Sequence, residues 1–243
     1  MHIIKVDAID STNTYLRDLH RKKGLTTPVC VIARQQLAGK GQMGTVWESN
    51  AGENLTCSVF MVVPELRLKD QFFISIATSL AIWDVLDGFM VPKLSIKWPN
   101  DILSYKQKIC GILIENVVKN GRLTGAILGI GMNINQITFD NLPQAGSLKQ
   151  IFGRNFDIDE VANLILSRLK YRFDTLYDSN FEKLKKEYES LLFRKNKPST
   201  FLDIEGDPFV GIIQTITNEG KLQVLLEDEI ISDFDLKEIK LLY

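Results

Sequence analysis

The dipeptide Asn120-Gly121 stands between two long apolar runs, Ile109–Val118 and Leu123–Asn133, and constrains the fold more than any other stretch of the chain. Asn-Gly readily supplies the consecutive positive-φ residues of a tight hairpin, so the two runs are predicted to be antiparallel neighbours. Pro28–Ala33, Leu55–Val63 and Leu94–Lys97 read as further strands. Ahead of them, Asp10 and Ser11 are suited to cap a short amphipathic helix marked by Tyr15, Leu16 and Leu19 and ending at Gly24. Ile74–Leu86 has the spacing of a core helix, and Asp157–Leu192 reads as two charged helices broken around Asp178–Asn180.

After Lys195-Asn-Lys-Pro198 the texture changes to short strands, Phe201–Ile204, Phe209–Thr217, Leu222–Leu226 and Ile230–Phe234. Turn signals at Gly206-Asp207, Asn218-Glu219-Gly220 and Asp228-Glu229 separate them. The expectation is an α+β fold: a mixed sheet packed with helices over residues 1–194, and a small β-barrel or sandwich over 195–243 docked on it. The barrel is too small to be comfortable alone.

With 29 basic and 30 acidic side chains the net charge is −1, which gives no general reason to bind nucleic acid. Cys30, Cys57 and Cys110 are odd in number and never form CxxC, which argues against a disulfide framework or zinc site and suits a reducing cytosol. The only histidines, His2 and His20, disfavour HExxH hydrolases and histidine triads. The first residues lack the apolar region of a signal peptide, and no run approaches the roughly 18 apolar residues of a membrane span. A soluble, cytoplasmic protein is expected.

Residues 35–54 hold Gly39-Lys40-Gly41-Gln42-Met43-Gly44, a GxGxxG match that is weak by itself. A Rossmann site needs the third glycine to open a helix, and a kinase needs HRD and DFG segments; neither context is present. An ordinary surface loop and a mobile lid remain. Lys40 would bring charge to such a lid and Trp47 a flat apolar cover. Further on, Lys97-Trp-Pro-Asn100-Asp101 ends a strand with a cation, an amide and a carboxylate. Lys108 precedes the glycine-bearing strand Gly111-Ile-Leu-Ile-Glu115, and Gly129-Ile-Gly131-Met-Asn133-Ile-Asn135 thins a second strand as a planar ligand requires.

These segments, together with Asp10-Ser-Thr-Asn13 and Gln36, resemble the biotin–protein ligase family in order and approximate spacing. The resemblance covers nearly the whole chain. It implies a catalytic domain like that of class II aminoacyl-tRNA synthetases and biotin ligases, with an SH3-like C-terminal barrel. It also implies biotin contacts from Ser11, Thr12, Asn13, Gln36, Lys40, Gly41, Gln42, Lys108, Gly111, Gly129 and Gly131. Lys40, Trp47, Lys97, Asn100 and Asn133 would serve the nucleotide; Lys108, Lys97 and Asp101 would carry the chemistry; Asp101 would accompany the Mg²⁺ of ATP. The family's common loop carries arginine where this chain has Lys40, Gln42 and Thr45, so the loop supplies charge without guanidinium forks.

The implied partners are biotin, ATP and a biotin carboxyl carrier protein domain, with no DNA, no membrane, and a monomer or homodimer. Some family members add an N-terminal winged helix and act as biotin-sensing repressors; here only nine residues precede Asp10, so a monofunctional ligase is expected. Lipoate or octanoate transfer is the nearest alternative, and a noncatalytic binding module a remoter one. In the first step of the implied reaction a carboxylate meets the ATP α-phosphate. Two unit charges about 4 Å apart repel by about 4 kcal/mol at an effective dielectric near 20, which the lysines and Mg²⁺ would offset. The mixed anhydride formed must then be shielded from water, a task for the loop. In the second step an acceptor lysine amine attacks, and Asp101 is the carboxylate suited to orient it.

Overall fold

Alternation along β2 (Val29–Gln36) shows how the main sheet is built: Cys30 and Ile32 join the larger buried cluster on one face, while Val29 and Val31 join a smaller one on the other. The computed structural model describes residues 1–63, 66–140, 142–177 and 181–243. β1 (His2–Ile9) leads into α1 (Thr12–Lys23), then β2, then β3 (Leu55–Val62) and α2 (Phe72–Gly88). β4 (Leu94–Lys97), β5 (Asp101–Ser104), β6 (Gln107–Lys119) and β7 (Arg122–Met132) complete a seven-stranded sheet in the order β1-β2-β3-β7-β6-β5-β4. β1 runs parallel to β2 and the other pairs are antiparallel, so the sheet is mixed. The predicted hairpin joins β6 and β7, with Asn120 and Gly121 at φ 52° and 74°.

α1 covers one face of the sheet through Leu16. The Ser11 hydroxyl caps it by accepting from Thr14 N at 3.5 Å, and Gly24 closes it at φ 60°. The other face is covered by α2, whose residues are buried nearly all round because α4 (Ile158–Tyr177) and α5 (Phe181–Ser190) pack on it. Arg172 of α4 bonds Asp84 of α2 and Glu187 of α5, tying the three helices together. The expected break between the charged helices falls on 178–180, outside the described residues.

β8 (Pro198–Leu202), β9 (Pro208–Ile216), β10 (Leu222–Leu226), β11 (Ile231–Phe234) and β12 (Lys240–Leu242) form a second, antiparallel sheet ordered β11-β10-β9-β8-β12. Phe201, Ile213, Ile216, Leu222 and Val224 belong to the same buried cluster as α2 and the main sheet. The Trp98 indole donates to Gly220 O at 2.9 Å, and Gly220 lies against Phe72.

Four strands and α-helices exceed the sequence reading: β1, β5, the short α3 (Leu148–Phe152) with its Ser147–Gln150 capping box, and β12. The first C-terminal strand also starts and ends earlier than expected, leaving Ile204 exposed in a turn. All three cysteines are buried and free. Among the described residues no helix is long and apolar enough to cross a membrane.

Candidate active site

Gly111 and Gly131 are directly opposed in the β6–β7 register, with Gly129 opposite Leu113, and together these glycines flatten the sheet on the α1 face. The flattened surface floors a cavity of about 550 Å³. Trp47 lies across it: a Cβ at Gly131 would come within 2.4 Å of the indole, and one at Gly111 within 2.9 Å. The third glycine serves another purpose, since a Cβ at Gly129 would meet Asn13 Oδ1 at 2.4 Å. The indole N–H is buried and has no hydrogen-bond partner among the described residues.

The loop carrying Trp47 is a tight hairpin rather than a phosphate cradle. Lys40 bridges Val46, Gly41 N donates to Thr45 O at 2.7 Å, and Trp47 N donates to Gly39 O at 3.0 Å. Gly39 and Gly41 are required by these close approaches, to Trp47 O and to the Thr45 hydroxyl. Lys40 Nζ donates to Thr14 Oγ1 at 3.3 Å, and Gln42 O accepts from Thr45. Both residues line the cavity.

One end of the cavity is neutral and polar. Gln36 Oε1 accepts from Thr12 N at 2.8 Å and from its hydroxyl at 3.0 Å, Thr12 Oγ1 lies 2.6 Å from Ser58 Oγ, and Ser58 donates to Asn13 Oδ1. Asn13 Nδ2 in turn donates to Glu115 Oε1 at 3.0 Å, and Arg17 holds that carboxylate at 2.9 Å. Ser11, the α1 cap, lines the same end.

The other end is ionic. Asp101, 8% exposed, has Lys108 Nζ 2.7 Å from one oxygen and Lys97 Nζ 3.3 Å from the other. Lys108 Nζ also stands 5.5 Å from the centre of the Trp47 ring. Burial and the Asp101 charge hold the neighbouring Tyr188 phenol far above its usual range, and its hydroxyl reaches Pro99 O at 3.2 Å.

Of the residues expected at the site, Ser11, Thr12, Asn13, Gln36, Lys40, Gly41, Gln42, Trp47, Lys97, Asn100, Asp101, Lys108, Gly111, Gly129 and Gly131 all line this one cavity. Asn133 does not. It is buried behind the wall, its amide donating to Gly146 O at 3.0 Å and Lys108 O at 3.3 Å, so it supports the Lys108 strand rather than facing a nucleotide. Asn100 lines the cavity but commits its amide to Ile112 O at 2.5 Å. The Mg²⁺ role of Asp101 also meets a physical obstacle: both its oxygens face ammonium groups, so these residues do not fit a protein-held cation. Among the described residues the one cluster of three potential metal-ligating side chains is Asp203, Glu205 and Asp207, on the β8–β9 turn.

Ser58, Glu115 and Arg17 escaped the sequence reading as site residues. Signals were available for two of them: Glu115 ends the Gly111-Ile-Leu-Ile-Glu115 segment, and Ser58 is, with Thr56, a hydroxyl inside the apolar run of β3.

Fold and cavity together define a small-molecule site of two unlike ends, amide and hydroxyl groups facing two lysines about one carboxylate, beneath an aromatic-tipped hairpin. The chain belongs to the biotin/lipoate A/B protein ligase family, whose model matches residues 6–133. It is 30% identical over 233 residues to the bifunctional ligase/repressor BirA of Bacillus spizizenii, covering 94% of this chain and 70% of that one. It is 29% identical over 200 residues to the biotin--[acetyl-CoA-carboxylase] ligase of Mycobacterium tuberculosis, covering 80% and 72%. Among solved structures, the biotin protein ligase of Aquifex aeolicus in complex with biotin and ATP superposes with a TM-score of 0.81 at 22% identity, over 99% of this chain and 98% of that one. The Leishmania major biotin protein ligase in complex with biotinyl-5-AMP gives 0.64 at 24% identity, over 96% and 98%. These two structures share the fold.

Proposed function

We propose that this chain is an ATP-dependent biotin–protein ligase that forms biotinyl-5′-AMP with release of pyrophosphate and then transfers biotin to a lysine of a biotin carboxyl carrier domain. The observation that carries the reading is the opposition of Thr12, Asn13 and Gln36 to the Lys97–Asp101–Lys108 cluster within one cavity. The ureido ring suits the amide-and-hydroxyl end, and the acid tail then points toward Lys108. Family membership and relatives named as biotin ligases support it.

Lys108 and Lys97 offset the repulsion between the acid and the α-phosphate, and do so more strongly as negative charge gathers at phosphorus. Asp101 fixes both ammonium groups and is the carboxylate available to orient the incoming amine. Mg²⁺ enters with the ATP phosphates as part of the substrate. A ring seated on Gly111 and Gly131 takes the place of the indole, so Trp47 lifts with its hairpin on binding and returns as a cover that excludes water. Residues 1–194 carry this chemistry, and 195–243 flank the nucleotide end.

The test is incubation with biotin, MgATP and a carrier domain, read by mass spectrometry. A single biotinyl increment on the carrier lysine is expected. No increment with biotin, or one with lipoate instead, overturns the assignment.

A further inference from the structure

Lys97 has a second contact besides Asp101. Its Nζ stands 5.2 Å from the centre of the Tyr243 ring, a residue that follows β12 and reaches the site from the second sheet. One further contact bears on the ring itself, and two hydrogen bonds place the backbone behind it. Phe193 meets it edge to face at 5.1 Å between centres. Gln144 Nε2 donates to Tyr243 O at 2.8 Å. Gln144 O in turn accepts from Lys108 N at 2.6 Å, so one residue ties the Tyr243 backbone to the other lysine of the cluster.

A lysine ammonium is a point charge on a flexible stem, and the Asp101 carboxylate, which Lys97 shares with Lys108, contacts it on one side only. An aromatic face attracts the cation through its quadrupole and leaves the charge intact. We propose that Tyr243 is a positioning residue for Lys97, keeping its ammonium at the nucleotide end of the cavity with its charge available to a phosphate. The phenol is pushed up to about 12, by burial first and by Asp101 second, which keeps the ring neutral near pH 7. The inference rests on the biotin ligase reading and assigns the second sheet a part in it.

The test uses the full chain and biotin-dependent ATP–pyrophosphate exchange. Tyr243→Leu should raise the KM for ATP about five- to tenfold, while leaving the KM for biotin within about twofold, and Tyr243→Phe should restore the wild-type value. In a Lys97→Met background, Tyr243→Leu should add nothing, because the pair is then already broken. Pentafluorophenylalanine at position 243 keeps the shape but inverts the quadrupole toward Lys97 and Phe193 alike, and should reproduce the leucine defect even if Tyr243→Leu folds poorly, the ATP effect again vanishing in the Lys97→Met background. An unchanged KM for ATP with the fluorinated ring, or a leucine effect that persists undiminished in Lys97→Met, overturns the assignment. Wild-type protein without exchange activity would remove the function and this inference together; active wild type with indifferent variants removes the inference alone.

Discussion

Lys108 is held at three points: its N–H by Gln144 O, its carbonyl by Gly146 N and the Asn133 amide, and its ammonium by Asp101. Such a residue acts from a fixed position, which is what a group stabilising developing charge requires. Lys108→Ala should therefore lower ATP–pyrophosphate exchange by about 10²- to 10³-fold, the range for removing one preorganised electrostatic donor. The backbone bonds survive the change, so near-UV circular dichroism should remain native; full exchange activity would displace Lys108 from the mechanism. Asp101→Asn tests the second step. Supplied with preformed biotinyl-AMP, it should transfer biotin at least about tenfold more slowly, and an unchanged rate would reduce Asp101 to holding the lysines in the first step. Asp101 stood out in the sequence beside Pro99, and Lys108 before an apolar strand, but either could have been a solvated turn, and it was the family resemblance that gave them roles. The sequence showed less of the glycines. The reading of close approach is right, but what approaches Gly129 is Asn13, and what lies on Gly111 and Gly131 is the protein's own Trp47. Partners 64 to 116 residues away are invisible to local pattern.

Among the elements, those with an unbroken apolar face were legible and those without one were not. α2, β6 and β7 differ from expectation only at their ends, whereas β1 is an edge strand with most residues exposed and β5 is four residues long. α3 is too short for periodicity, and its visible mark is the Ser147–Gln150 capping box. Ser147→Ala should cost about 1 kcal/mol and lower the thermal midpoint by about 2–4 °C for a chain of this size. A shift below 1 °C would show that Asn133 and Gly146 hold the segment without the cap. The hairpin of Trp47 permits a sharper test. Gly131→Ala puts a methyl 2.4 Å from the indole, against a rigid strand, so the ring must rise. Tryptophan emission should move to longer wavelength, and preformed biotinyl-AMP should hydrolyse faster in the presence of the variant than of the wild type. Unaltered emission would mean that the indole does not rest on this floor in solution.

At the scale of the molecule, the two sheets share one buried cluster, and Trp98, Glu189 and Tyr243 bond or pack across their junction. The change of texture after Lys195 was visible in the sequence, but the continuity of the core was not, because Phe201, Ile213 and Leu222 look like the interior of an independent barrel until the main sheet is beside them. Continuity predicts one cooperative transition, and the thiols report it. Cys30, Cys57 and Cys110 sit on β2, β3 and β6, all within the main sheet. Burial raises the Cys110 thiol far above its usual range, and a hydrogen bond with Cys30, then burial, raise Cys57. The thiolate is the reactive form, so labelling near pH 8 requires the sheet to open. The sign of the pH dependence follows. In alkali the unfolded chain loses thiol protons that the folded chain keeps, so stability falls as pH rises through the ordinary thiol range and beyond. In urea at pH 8, labelling of all three cysteines should share its midpoint with far-UV circular dichroism, and that midpoint should fall at pH 9.5. A chain ending at residue 194 leaves the junction side of this cluster bare and should label without denaturant; full protection of its thiols would show that the main sheet stands without the second.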